Sequence, residues 1–462
     1  MNAPLNPEAA PDRELLAERV AAGMGRLADD LATLVAHPSI AFPGYDAGPV
    51  HASGRATAGL LAGLGLGEPE MLDVGGPFPA VWLERHVADD APTVLLYAHY
   101  DVQPAPVREQ GWESDPFVLT PKPDGRLYGR GAADDKGGIV QHVGALRALD
   151  PAVFDRLNLK VCIEGDEESG GPLAEYVAAN PERFSADLYV VADVGNLSVG
   201  EPVVVSQLRG GIKMVVRVST LAGALHSGMF GGPAPDAFIA ASRLITSLFD
   251  DRGNVVVAGL RHGDWDGAPY PAPLFKEHAA MLDGVETIGS GSVADHLWSR
   301  PSITVLAGDL PPLDKSAGIL HPNFTFILSA RYAPTEDGEQ VASAIRDHLL
   351  SRAPWGAHVE IVESSIWPAF ADRSSGPVAD AVHESLTEAF GAPSQRAGGG
   401  GSIPLLSALQ DTSPHATFAT FGPEDQGLSR IHGGNESVDL AELERCVHAE
   451  ALILSRVAAQ LV

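Results

Sequence analysis

Short apolar runs that end on charged residues dominate the first half of the chain. Thr93–Tyr97 is a continuous apolar run that closes on His99, with Asp101 two residues later. Leu159–Ile163 runs straight into EGDEESG, and Leu188–Ala192 ends on Asp193. Ala80–Leu83 is a fourth run of this kind. Runs this short and this apolar predict buried strands. Between them lie stretches of helical periodicity. Residues 13–36 place Leu16, Val20, Met24 and Leu27 on one face before Pro38 stops the helix, and 137–149 repeats Ile139, Val143 and Leu146. Further helices are expected at Gly54–Leu64 and Leu173–Asn180. Strands and helices in alternation predict an α/β domain with a mostly parallel, mixed sheet flanked by helices.

The pattern then changes. Residues 212–220 largely alternate, with Ile212, Met214, Val216 and Val218 on one side. That is a half-exposed strand. A helix from about Asp236 carries Phe238, Ala241, Ile245 and Leu248 on one face. Partial alternation over Phe324–Tyr332, a helix over Val341–Leu350 and a strand over His358–Val362 follow. These predict a small inserted α+β domain over 207–367. The flanking 1–206 and 368–462 form the two parts of the larger domain. The Gly/Pro-rich stretch 251–310 yields no clear element. Near the end, Val378, Val382, Leu386 and Phe390 mark a helix closed by Gly391. Four glycines, Gly398 to Gly401, come next, and a helix from about Val438 to Val457 ends the pattern.

Length and composition narrow the class. At 462 residues the chain exceeds one hydrophobic core. A net charge of −29 argues against nucleic acid or an anionic membrane as partner. The two cysteines, Cys162 and Cys446, form no CxxC, and Cys162 reads as buried filler. The first residues lack the basic-then-apolar order of a secretory leader, and no run approaches the ~18 apolar residues of a membrane span. A soluble, cytoplasmic protein is expected.

Five potential ligands stand at strand ends or in polar turns: His99, Asp134, Glu168, Asp193 and His432. Two imidazoles and three carboxylates suit Zn²⁺ or Mn²⁺ and lack the thiolates of structural zinc. Five ligands exceed one open catalytic site but fit two ions if one carboxylate bridges. The acids Glu164, Asp166, Glu167 and Glu168 close an apolar strand, where uncompensated charge is costly. Asp134 and Asp135 compete for the roles of ligand and helix cap in GRGAADDKGG. His142, on a helix, reads as a surface or satisfied core residue.

HYDVQP, GRGAADDKG, EGDEESG, the Asp193 strand end, LAGALHSGMFGG, GGSIP and IHGGNES, in this order, resemble the M20 family of dinuclear metallopeptidases, in particular its dipeptidase and carnosinase-like branch. The resemblance spans essentially the whole chain. It implies a dinuclear-zinc aminopeptidase/carboxypeptidase-like catalytic domain with an inserted ferredoxin-like dimerisation domain. His99, Asp134 and Asp193 would hold one ion; Asp134, Glu168 and His432 would hold the other. Asp101 would orient His99. The bond after the bridging Asp134 would be cis. Glu167 would be the general base, taking a proton from a metal-bridging water and passing it to the leaving amine. His226 would reach the partner's site in a homodimer and steady the oxyanion. Arg331 would hold a substrate carboxylate, and backbone amides at Gly400, Gly401 and Ser402 would approach the substrate. Asn435 and Glu436 would shape the pocket.

The chain departs from many relatives at two places. Glycines stand where Arg–Glu precedes GGSIP, with Arg396 two positions back, and Gly434 replaces a proline. The cofactors implied are two divalent ions, Zn²⁺ first, with Mn²⁺ or Co²⁺ as alternatives. The implied reaction is hydrolysis of the amide of a dipeptide or short peptide. The alternative is an N-acyl-amino-acid deacylase or desuccinylase using the same site, set apart by whether a free α-amino group is required. A non-catalytic metal-binding protein would have lost Glu167 or several ligands, and none is lost. No GxGxxG follows a strand, which removes a dinucleotide-binding reading.

Overall fold

The computed structural model describes residues 13–401 and 403–460, so Ser402 and the first residues of the leader reading lie outside the described residues. The chain divides into two compact units. One holds the described residues up to Ser206, Asp372–Ala397 and those from Ala408 on; the other holds Gln207–Ala371 and Gly398–Ser407.

The first unit is built on a six-stranded mixed sheet. Its strands are β1 (Glu70–Leu72), β2 (Ala80–Arg85), β3 (Thr93–His99), β4 (Asn158–Glu164), β5 (Leu188–Val191) and β6 (Thr417–Thr420), in the spatial order β1-β2-β4-β3-β5-β6. β4, β3, β5 and β6 are mutually parallel; β1 and β2 add on antiparallel. The parallel strands are buried along nearly their whole length, which explains their unbroken apolar runs. Helices α1 (Arg13–Val35), α2 (Gly48–Ala62), α3 (Lys136–Ala148), α4 (Pro377–Phe390) and α5 (Leu440–Gln460) belong to the same unit. Leu27, Leu31 and Leu34 of α1, Ile139 and Val143 of α3, and Leu452 and Ile453 of α5 share one core with the sheet. α2 begins six residues before the predicted Gly54, because Pro49 sits in its first turn, where its missing N–H is harmless, and Val50 is buried. Strand β6 is four residues long, too short for periodicity to mark. Among the described residues no helix is long and apolar enough to cross a membrane.

Four antiparallel strands form the sheet of the second unit, in the order Ser302–Gly308, Asn323–Tyr332, Gly210–Ser219, His358–Trp367. With the helices Ala237–Thr246 and Gly338–Ser351, the chain order is β-α-β-β-α-β, the ferredoxin-like arrangement. The two central strands alternate cleanly: Ile212, Met214 and Val216 oppose Ala330, Leu328 and Phe326. These side chains form the core with Ala240, Leu244, Val341, Ile345 and Leu349 of the helices. Asp236 and Asp337 cap the two helices by accepting backbone amides of their first turns. One edge strand hides from sequence, and the other runs beyond the His358–Val362 expected for it. Ser302–Gly308 buries Ile303 and leaves the rest mostly exposed, so it carries no alternating signal; His358–Trp367 alternates only in its first half, where Val359 and Ile361 are half-buried between exposed neighbours. The unassigned 251–310 stretch contains that first edge strand and the short helix Ala272–His278.

Candidate metal centre

The carboxyl ends of all four parallel strands converge on one acidic cluster, as open α/β sheets dispose their sites. His99 is the last residue of β3; Glu167 and Glu168 follow β4; Asp193 follows β5; Glu424 follows β6. Asp134 arrives on the turn before α3, and His432 on the loop before α5. Donor atoms of His99, Glu167 and Asp193 lie within 4.8 Å of one another, as do those of Asp134, Glu168 and His432, and those of Asp134, Asp193 and Glu424.

Asp134 joins the groups. Its Oδ1 is 3.0 Å from His99 Nε2, and its Oδ2 is 3.0 Å from His432 Nε2. His99 Nε2 also lies 3.5 Å from Asp193 Oδ1, and His432 Nε2 3.3 Å from Glu168 Oε2. The two carboxylate oxygens of Asp134 therefore face two different imidazoles, one on each side.

Neighbouring groups hold these side chains in place. His99 Nδ1 is 3.1 Å from the Asp101 carbonyl and 3.4 Å from Asp101 Oδ1, both acceptors. Nδ1 thereby donates to Asp101, and with an ion bound in the cluster Nε2 would turn its lone pair to that ion. The Asp101 carboxylate also accepts the amides of Glu167 and Glu168, at 3.1 Å each. One buried side chain thus orients three members of the centre. Gln103 donates to Glu168 Oε2 at 2.7 Å.

The competition between Asp134 and Asp135 resolves cleanly. Asp135 is the helix cap, accepting Gly138 N at 3.1 Å through Oδ1 and His99 N at 3.1 Å through Oδ2. The peptide between Asp134 and Asp135 is cis. A Cβ on Gly138 would sit 2.1 Å from Asp135 Oδ1, so the glycine is required there. Asp134 is left facing the ligand space.

The electrostatics point one way. Five carboxylates (Asp134, Glu167, Glu168, Asp193 and Glu424) share the cluster with two imidazoles. Burial, then the neighbouring charge of Asp193, pushes the Glu167 carboxyl well above its ordinary range. Burial and the charge of Asp134 raise Glu168; burial raises Asp193. Burial, then Asp134 and Asp193, raises Glu424 strongly. Burial would also raise Asp134, but the hydrogen bonds with His432 and His99 hold it below the usual range. Hydrogen bonds with Asp134 and Glu168 push His432 up to about 10. The cluster is short of positive charge, which divalent ions would supply. The donor set is hard oxygen plus imidazole nitrogen, and Glu168 Oε1 is buried without a hydrogen-bond partner. These residues fit a pair of divalent ions.

Other residues singled out by sequence fall into separate places. Glu436 is fully buried: Oε1 accepts the amides of Ala133 and Asp134 at 3.0 and 3.1 Å, and Oε2 pairs with Arg130. Asn435 accepts the Glu113 amide at 2.9 Å and donates to Gly111 O at 3.1 Å. Both side chains are engaged by the protein's own loops. A Cβ at Gly434 would meet Gln110 O at 2.0 Å, so this loop packs too closely for a side chain there. His226, Arg331 and Gly401 belong to the second unit. His226 is exposed at the start of a short helix, Arg331 is half-buried on Asn323–Tyr332, and Gly401 is exposed. His142 is a satisfied core residue, bonded to Glu450 and to the Tyr97 carbonyl at 2.9 Å.

Three contributors escape the sequence reading. Glu424 has a usable signal: the apolar stretch Ala416–Phe421 runs into GPED, the same pattern that marks Asp193. Arg130 and Lys136 give none. The Lys136 ammonium is buried against the carbonyls of Leu34 and His37, at 2.9 and 2.8 Å, tying the start of α3 to the end of α1.

Comparison with known proteins places this geometry in context. Residues 95–456 match the model of peptidase family M20/M25/M40. A cysteinylglycine-S-conjugate dipeptidase of Corynebacterium striatum is 40% identical over 371 residues, covering 79% of this chain and 81% of its own. Among solved structures, the dipeptidase Dug1p of Saccharomyces cerevisiae superposes with a TM-score of 0.78 at 20% identity, over 97% of this chain and 98% of its own. Human carnosine dipeptidase 1 gives 0.77 at 21% identity, over 98% and 100%.

Proposed function

The chain belongs to peptidase family M20/M25/M40, and from that premise we propose that it hydrolyses dipeptides bearing a free α-amino group, with two divalent ions, Zn²⁺ foremost. Support for the substrate class comes from the cysteinylglycine-S-conjugate dipeptidase, 40% identical over most of both chains. The observation that carries the reading is Asp134, whose two oxygens each stand 3.0 Å from a different imidazole.

His99, Asp134 and Asp193 would hold one ion, and Asp134, Glu168 and His432 the other. Bound there, the ions would supply Lewis acidity and lower the pKa of water. The remaining work falls to the protein. Asp101 fixes the His99 tautomer and the backbone at Glu167 and Glu168. Glu167, beside His99 and Asp193, would take a proton from water and deliver it to the departing nitrogen. Glu436 and Arg130 hold the Asp134 turn from behind.

The second unit would supply the rest. Arg331 and the amides near Gly401 and Ser402 would receive the substrate carboxylate. His226 would complete the site of a second copy in a homodimer. Exposed apolar side chains on this unit favour such pairing: Met229 is 75% and Leu313 94% exposed, with Phe230 and Ile319 also open. A cytoplasmic location agrees with the two buried, unpaired cysteines.

The test is metal replacement followed by a substrate panel. Protein stripped of metal and reloaded with Zn²⁺, Mn²⁺ or Co²⁺ is assayed on dipeptides beside N-acetyl and N-succinyl amino acids. Hydrolysis of dipeptides, lost on stripping and regained on reloading, is expected. Turnover confined to the acylated amino acids would replace the dipeptidase reading with the deacylase one.

A further inference from the structure

The second unit contains a cavity of about 940 Å³ walled by Trp265, Tyr270, Phe275, Phe249 and Leu297. Two arginines line it. Arg300 is neutralised by Asp264 at 2.6 Å and Asp295 at 3.6 Å. Arg209 is not. It is 6% exposed, and its Nη1 donates to His296 O at 3.0 Å, Arg300 O at 3.4 Å and Ser302 Oγ at 3.0 Å, all uncharged. Its Nε is buried with no acceptor, and among the described residues no carboxylate pairs with it. Glu286, the one carboxylate on the lining among the described residues, is taken by Lys276 at 2.6 Å.

Arg331 lies close by. It pairs in register with Ser302 on one side and Gly211 on the other, two residues from Arg209. Burial, then the charge of Arg331, draws the Arg209 pKa down to about 10. Beside them, a Cβ on Gly400 would lie 3.7 Å from Arg209 Nη2, so the glycine backbone passes close to the guanidinium. A buried guanidinium with no carboxylate, beside a second one, is costly in a folded protein, and an anion relieves it. The chain carries a net charge of −29, yet none of the carboxylates among its described residues pairs with Arg209.

We propose that Arg209 and the aromatic cavity form a binding site for a carboxylate that carries an apolar or aromatic body, the carboxylate on Arg209 and the body among Trp265, Tyr270 and Phe275. A guanidinium recognises the planar carboxylate, and an apolar cavity with few polar groups is the usual setting for such a ligand. Two sources share this chemistry. One is the C-terminal residue of a peptide substrate, its carboxylate taken by Arg209 together with the neighbouring Arg331, which rests on the dipeptidase reading; the other is a free carboxylate acting apart from it.

Calorimetric titration of the metal-loaded full chain with 4-phenylbutyrate, 4-phenylbutylamine and butyrate tests the site. The expected result is binding of 4-phenylbutyrate, none of the amine, and butyrate weaker by about tenfold or more, since the phenyl group buries its area in the cavity. Leu297→Trp, which fills the cavity and leaves Arg209 intact, should weaken 4-phenylbutyrate by a similar factor; Arg209→Gln should abolish its preference over the amine. Arg209→Gln also removes the bonds to residues 296–302, so Leu297→Trp keeps the test valid if that variant does not fold. No binding by the wild type at millimolar concentration, equal binding of the amine, or a folded Leu297→Trp that binds as the wild type does would overturn the proposal. Competition of 4-phenylbutyrate with dipeptide hydrolysis assigns the site to the substrate's C-terminal residue; binding without competition assigns it to a separate carboxylate. Absence of any dipeptide hydrolysis would remove the peptidase reading while the calorimetry still decides the site.

Discussion

The two units bury charge of opposite sign, and they do so by different means. In the first, the ends of four parallel strands deliver carboxylates to one point, and two imidazoles are too few to balance them. In the second, Arg209 stands, among the described residues, without a carboxylate on the wall of an aromatic cavity in an antiparallel α+β unit. Each imbalance is a demand for a ligand: cations in one case, a carboxylate in the other. The contrast teaches that the origin of a buried charge predicts how readable it is. Strand-end acids interrupt apolar runs and can be seen in sequence. A lone arginine beside a Gly-Gly pair, in QLRGG, cannot.

The largest effect expected on the acidic side is at Glu167. Glu167→Gln should retain both ions, measured by elemental analysis, and lose about 10³-fold in kcat, the usual range for a general base. Near-normal turnover would show that the carboxylate surplus serves only to bind metal. Next comes Glu436→Gln, which weakens the grip on the Asp134 turn and the charge balance of Arg130. Metal affinity, followed by competition with a chelator, should fall about 10–100-fold, as for other groups that orient ligands. Unchanged affinity would mean the turn is held without it.

A smaller effect separates the acidic cluster from the core beneath it. Burial opposes protonation of His142, yet the Glu450 carboxylate and the Tyr97 carbonyl hold its pKa above the ordinary 6.5. The protonated ring is therefore favoured in the folded state. Its stabilisation is complete below pH 6.5 and is lost as pH rises through the raised value. The difference in thermal midpoint between wild type and His142→Gln should shrink as pH rises over that window; a constant difference would rule out the linkage. The smallest effect sharpens the comparison from the other side. Asp236→Ala removes the cap that accepts Phe238 N and Ile239 N. It should cost about 1 kcal/mol in denaturant unfolding and leave the ion content unchanged.

Much of the centre is legible because charge at the end of a buried strand is unusual enough to notice. His99, Asp134, Glu168, Asp193 and His432 all stand at such ends or in polar turns, and the structure gathers them. Glu424 carries the same signal in weaker form, since its strand is four residues long. The rest is not legible, for physical reasons. Asn435 and Glu436 look like site residues in a motif, yet their polar atoms are taken up by Glu113, Gly111, Arg130 and the Asp134 turn. Only partners far away in sequence reveal that.

The chain's own order of residues settled the α/β alternation, the one-sided alternation of the insert's central strands and the composition of the candidate ligand set, because these depend on periodicities of a few residues and on polar groups that break them. Tertiary structure alone decided which oxygen of Asp134 faces which imidazole, that Asp135 rather than Asp134 caps the helix, and that Arg209 is left without a carboxylate among the described residues. Those outcomes depend on distances between segments far apart in the chain, set by the packing of whole elements, and no local pattern encodes them.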